Sequence, residues 1–432
     1  MRRRAARVAY GAALLLVLFA ADAEAQRRGR ASRLRQPVIE DTPRPPPPSQ
    51  FTEQAPAAEP ALRAPTGDLD MLFLFERSGR RGDAPATAGV SVTTAFGTRI
   101  FLPHGFSVNL LLRAEPIPAL EGDNSRLPPH AAWIENFHLR WQHGPLILFA
   151  GKIHPRFGLA WQRAPGLHGA DFAGDYELRE KLGFGARLLL EGMLGLDPWL
   201  GRHSAQIEAF QADRVLSGGL FHRRWVQSVT TTDPATGEPV TRLIRRWQND
   251  RAIGGPDNAG GLPGFVASLG GSRIALGEAR FGYNFAVSFR RPGEDATSMW
   301  RGRTERGLAA GLYGRVPLPW GLVAEPLVEA VRQDSAGGFD GRRAEWLTAG
   351  LAVTAGALTA SHAVMVRRDA DDVARSRAFA RQHTANVTLA LGHATGFAPL
   401  NPFSVLVDWR RLAEGRARSE GFAAGVAFSL DF

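Results

Sequence analysis

GFAAGVAFSLDF, residues 421–432, closes the chain. Phe422, Ala424, Val426, Phe428, Leu430 and Phe432 share one parity; Ala423, Gly425, Ala427, Ser429 and Asp431 share the other. Side chains alternate across a strand, so the segment reads as a β-strand with one apolar face and one small or polar face. Arg280–Arg290 repeats the pattern more strongly. Phe281, Tyr283, Phe285, Val287 and Phe289 lie on one side, with Arg280, Gly282, Asn284, Ala286, Ser288 and Arg290 opposite. A soluble sandwich would bury that aromatic face, whereas a transmembrane barrel turns it to lipid and keeps the arginines in water.

The spacing of such strands favours the barrel. Comparable alternation recurs at 88–97, 105–115, 132–142, 308–316, 384–392 and 402–410. The intervening gaps alternate in length. Short ones fall at 102–104, 143–145, 193–202, 275–277, 317–320, 355–357 and 394–401. Long polar ones fall at 77–87, 116–130, 152–182, 213–262, 291–306, 333–344, 368–382 and 411–420. Short periplasmic turns alternating with long extracellular loops are the layout of an outer-membrane barrel. The expected fold class is therefore all-β, a transmembrane antiparallel β-barrel of about sixteen strands, within a range of roughly 14–18. Two short turns share a form, Leu102-Pro103-His104-Gly105 and Leu318-Pro319-Trp320-Gly321.

A chain that stops on an aromatic residue in phase with the apolar face resembles the closing strand of bacterial outer-membrane barrels. That resemblance implies Phe428, Leu430 and Phe432 as a membrane-insertion signal read by the barrel-assembly machinery. Composition agrees on what is excluded. No apolar run reaches the 18 or so residues of a spanning helix. Cys is absent, so disulfides and thiolate metal sites are out. The net charge of +10 is nearly all arginine, with Lys152 and Lys181 the only lysines.

At the N-terminus, Arg2, Arg3, Arg4 and Arg7 precede an apolar core from Gly11 to Ala20, and Ala23-Glu24-Ala25 offers an A-x-A cleavage site. Residues 1–25 read as a secretory signal peptide cut before Gln26, since the apolar core is too short to span. Residues 26–67 are basic, then Pro- and Ala-rich, with Pro45–Pro48 consecutive. Such a stretch buries too little apolar surface to fold and reads as a disordered periplasmic leader. The barrel is assigned to 68–432, in the bacterial outer membrane.

Residues 149–185 read FAGKIHPRFGLAWQRAPGLHGADFAGDYELREKLGFG. A strand entering Gly151-Lys152, then Pro155-Arg156-Phe157-Gly158, then a polar loop returning through Gly183-Phe184-Gly185 resembles the phosphate-selective porin group. Arg156 stands between Pro155 and Phe157, where the group's motif joins Pro directly to Phe. The group's lysine clusters for anions are not carried over, because this chain has two lysines. The resemblance implies trimerisation.

By strand count, 152–182 is the third extracellular connection, which in many porins folds into the lumen and sets the constriction. Its charged groups Lys152, His154, Arg156, Arg163, Asp171, Asp175, Glu177, Arg179 and Lys181 are the candidate constriction. Opposed charges across a narrow aqueous pore orient polar solutes and tune ion preference. Inward parity assigns Arg113, Arg140, Arg187, Arg280, Arg290, Arg315, Arg367 and Arg410 to the pore lining, beside Glu325 and Glu329. An arginine facing lipid at the midplane would cost roughly 2–4 kcal/mol, so a barrel must turn these inward. Trp133, Trp141, Trp199, Trp320, Trp346 and Trp409, near strand ends, suit interfacial girdles.

The sequence holds no H-E-x-x-H, no G-x-x-x-x-G-K-[ST] and no G-x-S-x-G. No cofactor or metal is implied, no catalytic residues emerge, and evenly spread arginines do not describe a nucleic-acid surface. The reading is a porin-like channel for passive diffusion of small hydrophilic, anionic solutes. Its partners are outer-membrane lipid and lipopolysaccharide. The alternatives are a substrate-gated transport barrel and a structural outer-membrane anchor without an open pore.

Overall fold

The computed structural model describes residues 64–80, 87–116, 130–191, 200–213, 224–232, 239–247, 261–292, 302–415 and 417–432. Residues 1–25, read as a signal peptide, and nearly all of 26–67, read as a leader, lie outside the described residues. So does Trp199.

In chain order the strands are β1 (Thr66–Arg80), β2 (Thr87–Phe101), β3 (Phe106–Pro116), β4 (His130–His143), β5 (Leu146–Ile153) and β6 (Lys181–Leu189). Then come β7 (Arg202–Ala212), β8 (Arg224–Thr232), β9 (Pro239–Trp247), β10 (Gly264–Leu276), β11 (Ala279–Arg290) and β12 (Glu305–Leu318). The last six are β13 (Leu322–Asp334), β14 (Arg342–Ala355), β15 (Leu358–Asp371), β16 (Ser376–Ala390), β17 (Phe403–Glu414) and β18 (Ala417–Asp431). Sixteen of them close into an antiparallel barrel, each beside its neighbour in sequence, with β7 followed directly by β10. β8 and β9 pair only with each other.

The closing strand sits as its pattern demands. β18 pairs with β1 from Asp68↔Asp431 to Arg80↔Ser419. Gly67 and Phe432 then exchange both backbone hydrogen bonds, at 2.8 and 2.9 Å. Phe422, Val426, Leu430 and Phe432 are exposed on the outer surface, while Ala423, Ala427 and Ser429 are buried inside. The Phe432 ring stacks on Phe96, centroids 5.9 Å apart. β11 likewise turns Phe285, Val287 and Phe289 outward and buries Asn284, Ala286 and Ser288. Closure leaves no sheet edge, which is what a membrane requires of β-structure.

Both Leu-Pro-x-Gly turns have one geometry. Leu102 and Leu318 are extended (φ −119°, ψ 162° and φ −115°, ψ 162°), and His104 and Trp320 are left-handed at φ 59° and 66°. Gly105 and Gly321 follow at φ 78° and 72°, a region that costs glycine little.

Four expectations need correction. The strands begin at Thr66, two residues before the assigned boundary. The gap 213–262 contains the β8–β9 hairpin, which pairs with no strand of the barrel. The connections expected at 368–382 and 411–420 shrink to 372–375 and 415–416, because the ladder continues past the apolar belt where alternation no longer marks it. Trp133 and Trp346 are buried inside the barrel, not in a girdle, whereas Trp320 is exposed on its turn.

Placing a charge at the middle of the outer belt tests this arrangement. Phe285→Arg should lower stability by about 2–4 kcal/mol in urea titrations of vesicle-inserted protein, and Phe285→Leu far less. Equal effects would mean that this face does not meet lipid.

Candidate functional site

The connection between β5 and β6 does not project outward. It crosses the interior, and its apolar residues Phe157, Leu159, Trp161, Phe172, Tyr176 and Leu178 form one buried cluster with wall residues that include Phe210, Val266, Leu327, Val331, Trp346 and Met365. The segment has only two short helical turns, Ala160–Arg163 and Ala173–Asp175, so many of its backbone N–H groups need partners from outside the loop.

Wall carboxylates supply them. Glu208 on β7 accepts the Arg156 N–H at 2.7 Å. Glu329 on β13 accepts the N–H groups of Leu159 and Ala160 and the Tyr176 hydroxyl. Burial, then the Glu329 charge, holds the Tyr176 phenol well above its ordinary pKa, so it stays a donor. Asp408 on β17 accepts the Leu167 N–H at 3.0 Å. Hydrogen bonds to a charged acceptor are about twice as strong as neutral ones.

Glycines make the close approach possible. A Cβ at Gly270 would collide with the Arg156 guanidinium, and one at Gly350 with Pro165. Gly307 and Gly311 stand in the same way beneath Phe157 and Leu159. Inward glycines on β10, β12 and β14 thus form landing places for the loop.

The far turn of the loop is latched to the seam. His168 Nε2 lies 3.4 Å from Glu76 of β1, and Nδ1 lies 3.4 Å from Asp171. Gln382 donates to the His168 carbonyl at 3.1 Å and to Asp171 at 2.8 Å. Arg410 is 3.5 Å from Asp171. Burial and then Arg410 lower the His168 pKa, but Asp171 and Asp408 outweigh them and raise it to about 9. The same imidazole and Arg410 hold Asp171 below the usual carboxylate range against its burial.

The sequence-derived constriction residues therefore have distinct places. Lys152 is buried at the loop's root, 3.2 Å from Glu180 and 3.9 Å from Asp213, and does not face water. His154 is bound to the Glu135 carbonyl at 3.1 Å. Asp175 pairs with Arg367 at 3.0 Å, and Glu177 pairs with Arg179. Lys181 is half-buried where β6 begins. Arg163 is the one exposed residue between Lys152 and Lys181, its guanidinium 3.9 Å above the Tyr313 ring.

Among the lining residues inward parity holds, but most side chains serve the wall. Arg113 pairs with Glu135 and Glu115, Arg290 with Glu305, and Arg315 with Glu325 at 3.4 Å. Arg140 and Arg187 donate to the amides of Gln142 and Gln206. Arg280 folds back on the carbonyls of Gly277 and Ala279. Arg367 also meets Asp369 and Glu414. Glu329 is an anchor buried under the loop, not a water-facing acid. Glu76, Gln382, Tyr313 and the landing glycines also occupy inward strand positions, but parity alone does not say which inward residue meets the loop.

No protein-family model matches the sequence, and no curated protein matches it. Among solved structures, the chain is similar to OprB of Pseudomonas putida, with a TM-score of 0.54 and 10% identity over 85% of this chain and 94% of that one. It also aligns with OccK9 of Pseudomonas aeruginosa (TM-score 0.46, 12% identity, 85% and 98% covered). The anion-selective porin of Comamonas acidovorans gives a TM-score of 0.45 at 8% identity, with 85% and 99% covered. The first likeness shows the fold, a closed sixteen-stranded barrel of the outer-membrane porin type.

Two measurements test the anchors. Glu329→Ala leaves buried donors unmet and should cost about 2–3 kcal/mol in urea unfolding, with faster proteolysis near residue 160; Glu329→Gln should fall between it and wild type. For His168 the folded pKa is raised, so its contribution to docking is whole below its ordinary value of 6.5 and fades as pH rises through about 9. Amide exchange around 165–172 should therefore accelerate beyond the intrinsic rate over that interval, and His168→Gln should abolish the pH dependence.

Proposed function

We propose that this chain is a porin-like channel of the bacterial outer membrane, passing small hydrophilic solutes through a passage narrowed by the β5–β6 loop. The observation that carries the reading is Arg163: within a loop otherwise anchored to the wall, it is the side chain left exposed, and its guanidinium is held over Tyr313. A fixed positive charge beside a narrow aqueous path raises the local anion concentration, so we infer a preference for anions. The resemblance of Gly151–Gly158 to phosphate-selective porins supports anionic solutes without naming one. We read the chain as exported by its signal peptide, inserted by the barrel-assembly machinery, trimeric and without catalysis.

A second reading is favoured by the apolar cluster that joins loop and wall across the lumen. In it the barrel is gated, and the loop must move before a substrate passes. Planar bilayers separate the two. An open channel gives stepwise openings with anion preference in a salt gradient. Arg163→Glu should lower the anion-to-cation permeability ratio by about fivefold, the factor that roughly 1 kcal/mol supplies. Inserted protein that never conducts would overturn passive diffusion and leave the gated barrel.

A further inference from the structure

The outer surface is uneven at its long-loop end. The outward positions of β12, β13, β14 and β15 near that end include Arg306, Arg332, Arg343 and Arg368. The next strands continue the row with Arg381, Arg411, Arg418 and, across the seam, Arg77. Their parity is that of exposed belt residues such as Leu308, Leu347, Phe379 and Phe422. All but Arg411, which is half-buried, are exposed.

Two contrasts give the row meaning. At the short-turn end of the same strands the outward positions hold Leu318, Ala324, Val353, Leu358, Leu389 and Leu430. On the other half of the barrel, outward positions toward the long-loop end hold Val90, Ala114, Ile134, Phe184, Gln211 and Phe265. The arginines thus mark one end and one half. The outward strand acids beside them, among the described residues, are Asp334, Glu345 and Glu420, and the adjoining turns add Asp340 and Asp372, fewer than the eight arginines. Asp334 is shared by Arg332 at 3.0 Å and Arg343 at 3.1 Å, so the rim keeps a positive excess.

A long arginine stem can lie along the apolar belt while its head reaches the interface. There the planar guanidinium matches a phosphate with two parallel hydrogen bonds, and basic residues at a membrane edge attract anionic headgroups. We propose that the β12–β1 rim binds phosphorylated lipid headgroups of the leaflet at the long-loop end. The inference rests on the membrane placement proposed above but not on conduction.

The test uses the full chain refolded into nanodiscs of phosphatidylcholine with about one-fifth diphosphoryl lipid A, or with its dephosphorylated form, then native mass spectrometry of the retained lipid. Wild type should retain the phosphorylated lipid about tenfold over the dephosphorylated one. Equal retention would overturn the proposal whatever the variants do. The triple variant Arg368→Gln, Arg381→Gln, Arg418→Gln should lose most of that preference, and the matching Lys triple should keep more of it. A Gln triple that retains lipid like wild type would overturn it. So would displacement of the lipid by millimolar inorganic phosphate, which would mark a free-anion site. Protein that retains the lipid but never conducts would uphold the rim and sink only the channel reading.

Discussion

A loop inside a barrel carries backbone N–H groups to a place where no strand pairs with them. Here Glu208, Glu329 and Asp408 meet several of those groups from the wall. Leaving a buried donor unmet costs about 1–3 kcal/mol, so these acids help determine whether the loop crosses the lumen at all. Their carboxylates accept from backbone N–H groups, which ties these acids to the loop's path.

Packing and polarity cooperate in that path. Phe157 and Leu159 approach Gly307 and Gly311 on β12, and the neighbouring N–H groups reach Glu329 on β13. The bare glycine faces bring the backbone close enough for the carboxylate to be shared. At the far turn charge is added to such contacts, with His168 held among Glu76, Asp171 and Asp408 and Gln382 donating to its carbonyl. Between these fixed points Arg163 remains exposed above Tyr313. The channel reading therefore turns on one guanidinium, although the loop carries many charges.

The barrel was legible because lipid imposes a period of two on every spanning strand, and strands such as β11 and β18 display it openly. The same imprint failed outside the barrel ladder and beyond the apolar belt. It missed the β8–β9 hairpin, and it overestimated the connections after β15 and β17, whose ladders rise beyond the apolar belt. The candidate loop was legible by position in the strand count. Its individual roles were not, since Lys152 at its root and Arg163 at its midpoint look alike in sequence but end up buried in an ion cluster and exposed, respectively. Trp133 and Trp346 misled for a related reason: an inward tryptophan near a strand end is indistinguishable from a girdle residue until its neighbours are known.

Alternation of apolar and polar residues and gaps that alternate in length together determined an antiparallel barrel and which side chains face inward. These are local properties, repeated along the chain and set by the period of the strand. Only the tertiary structure decided which inward residues meet the loop, because those contacts join residues as far apart as Leu167 and Asp408, and no local period records such a distance.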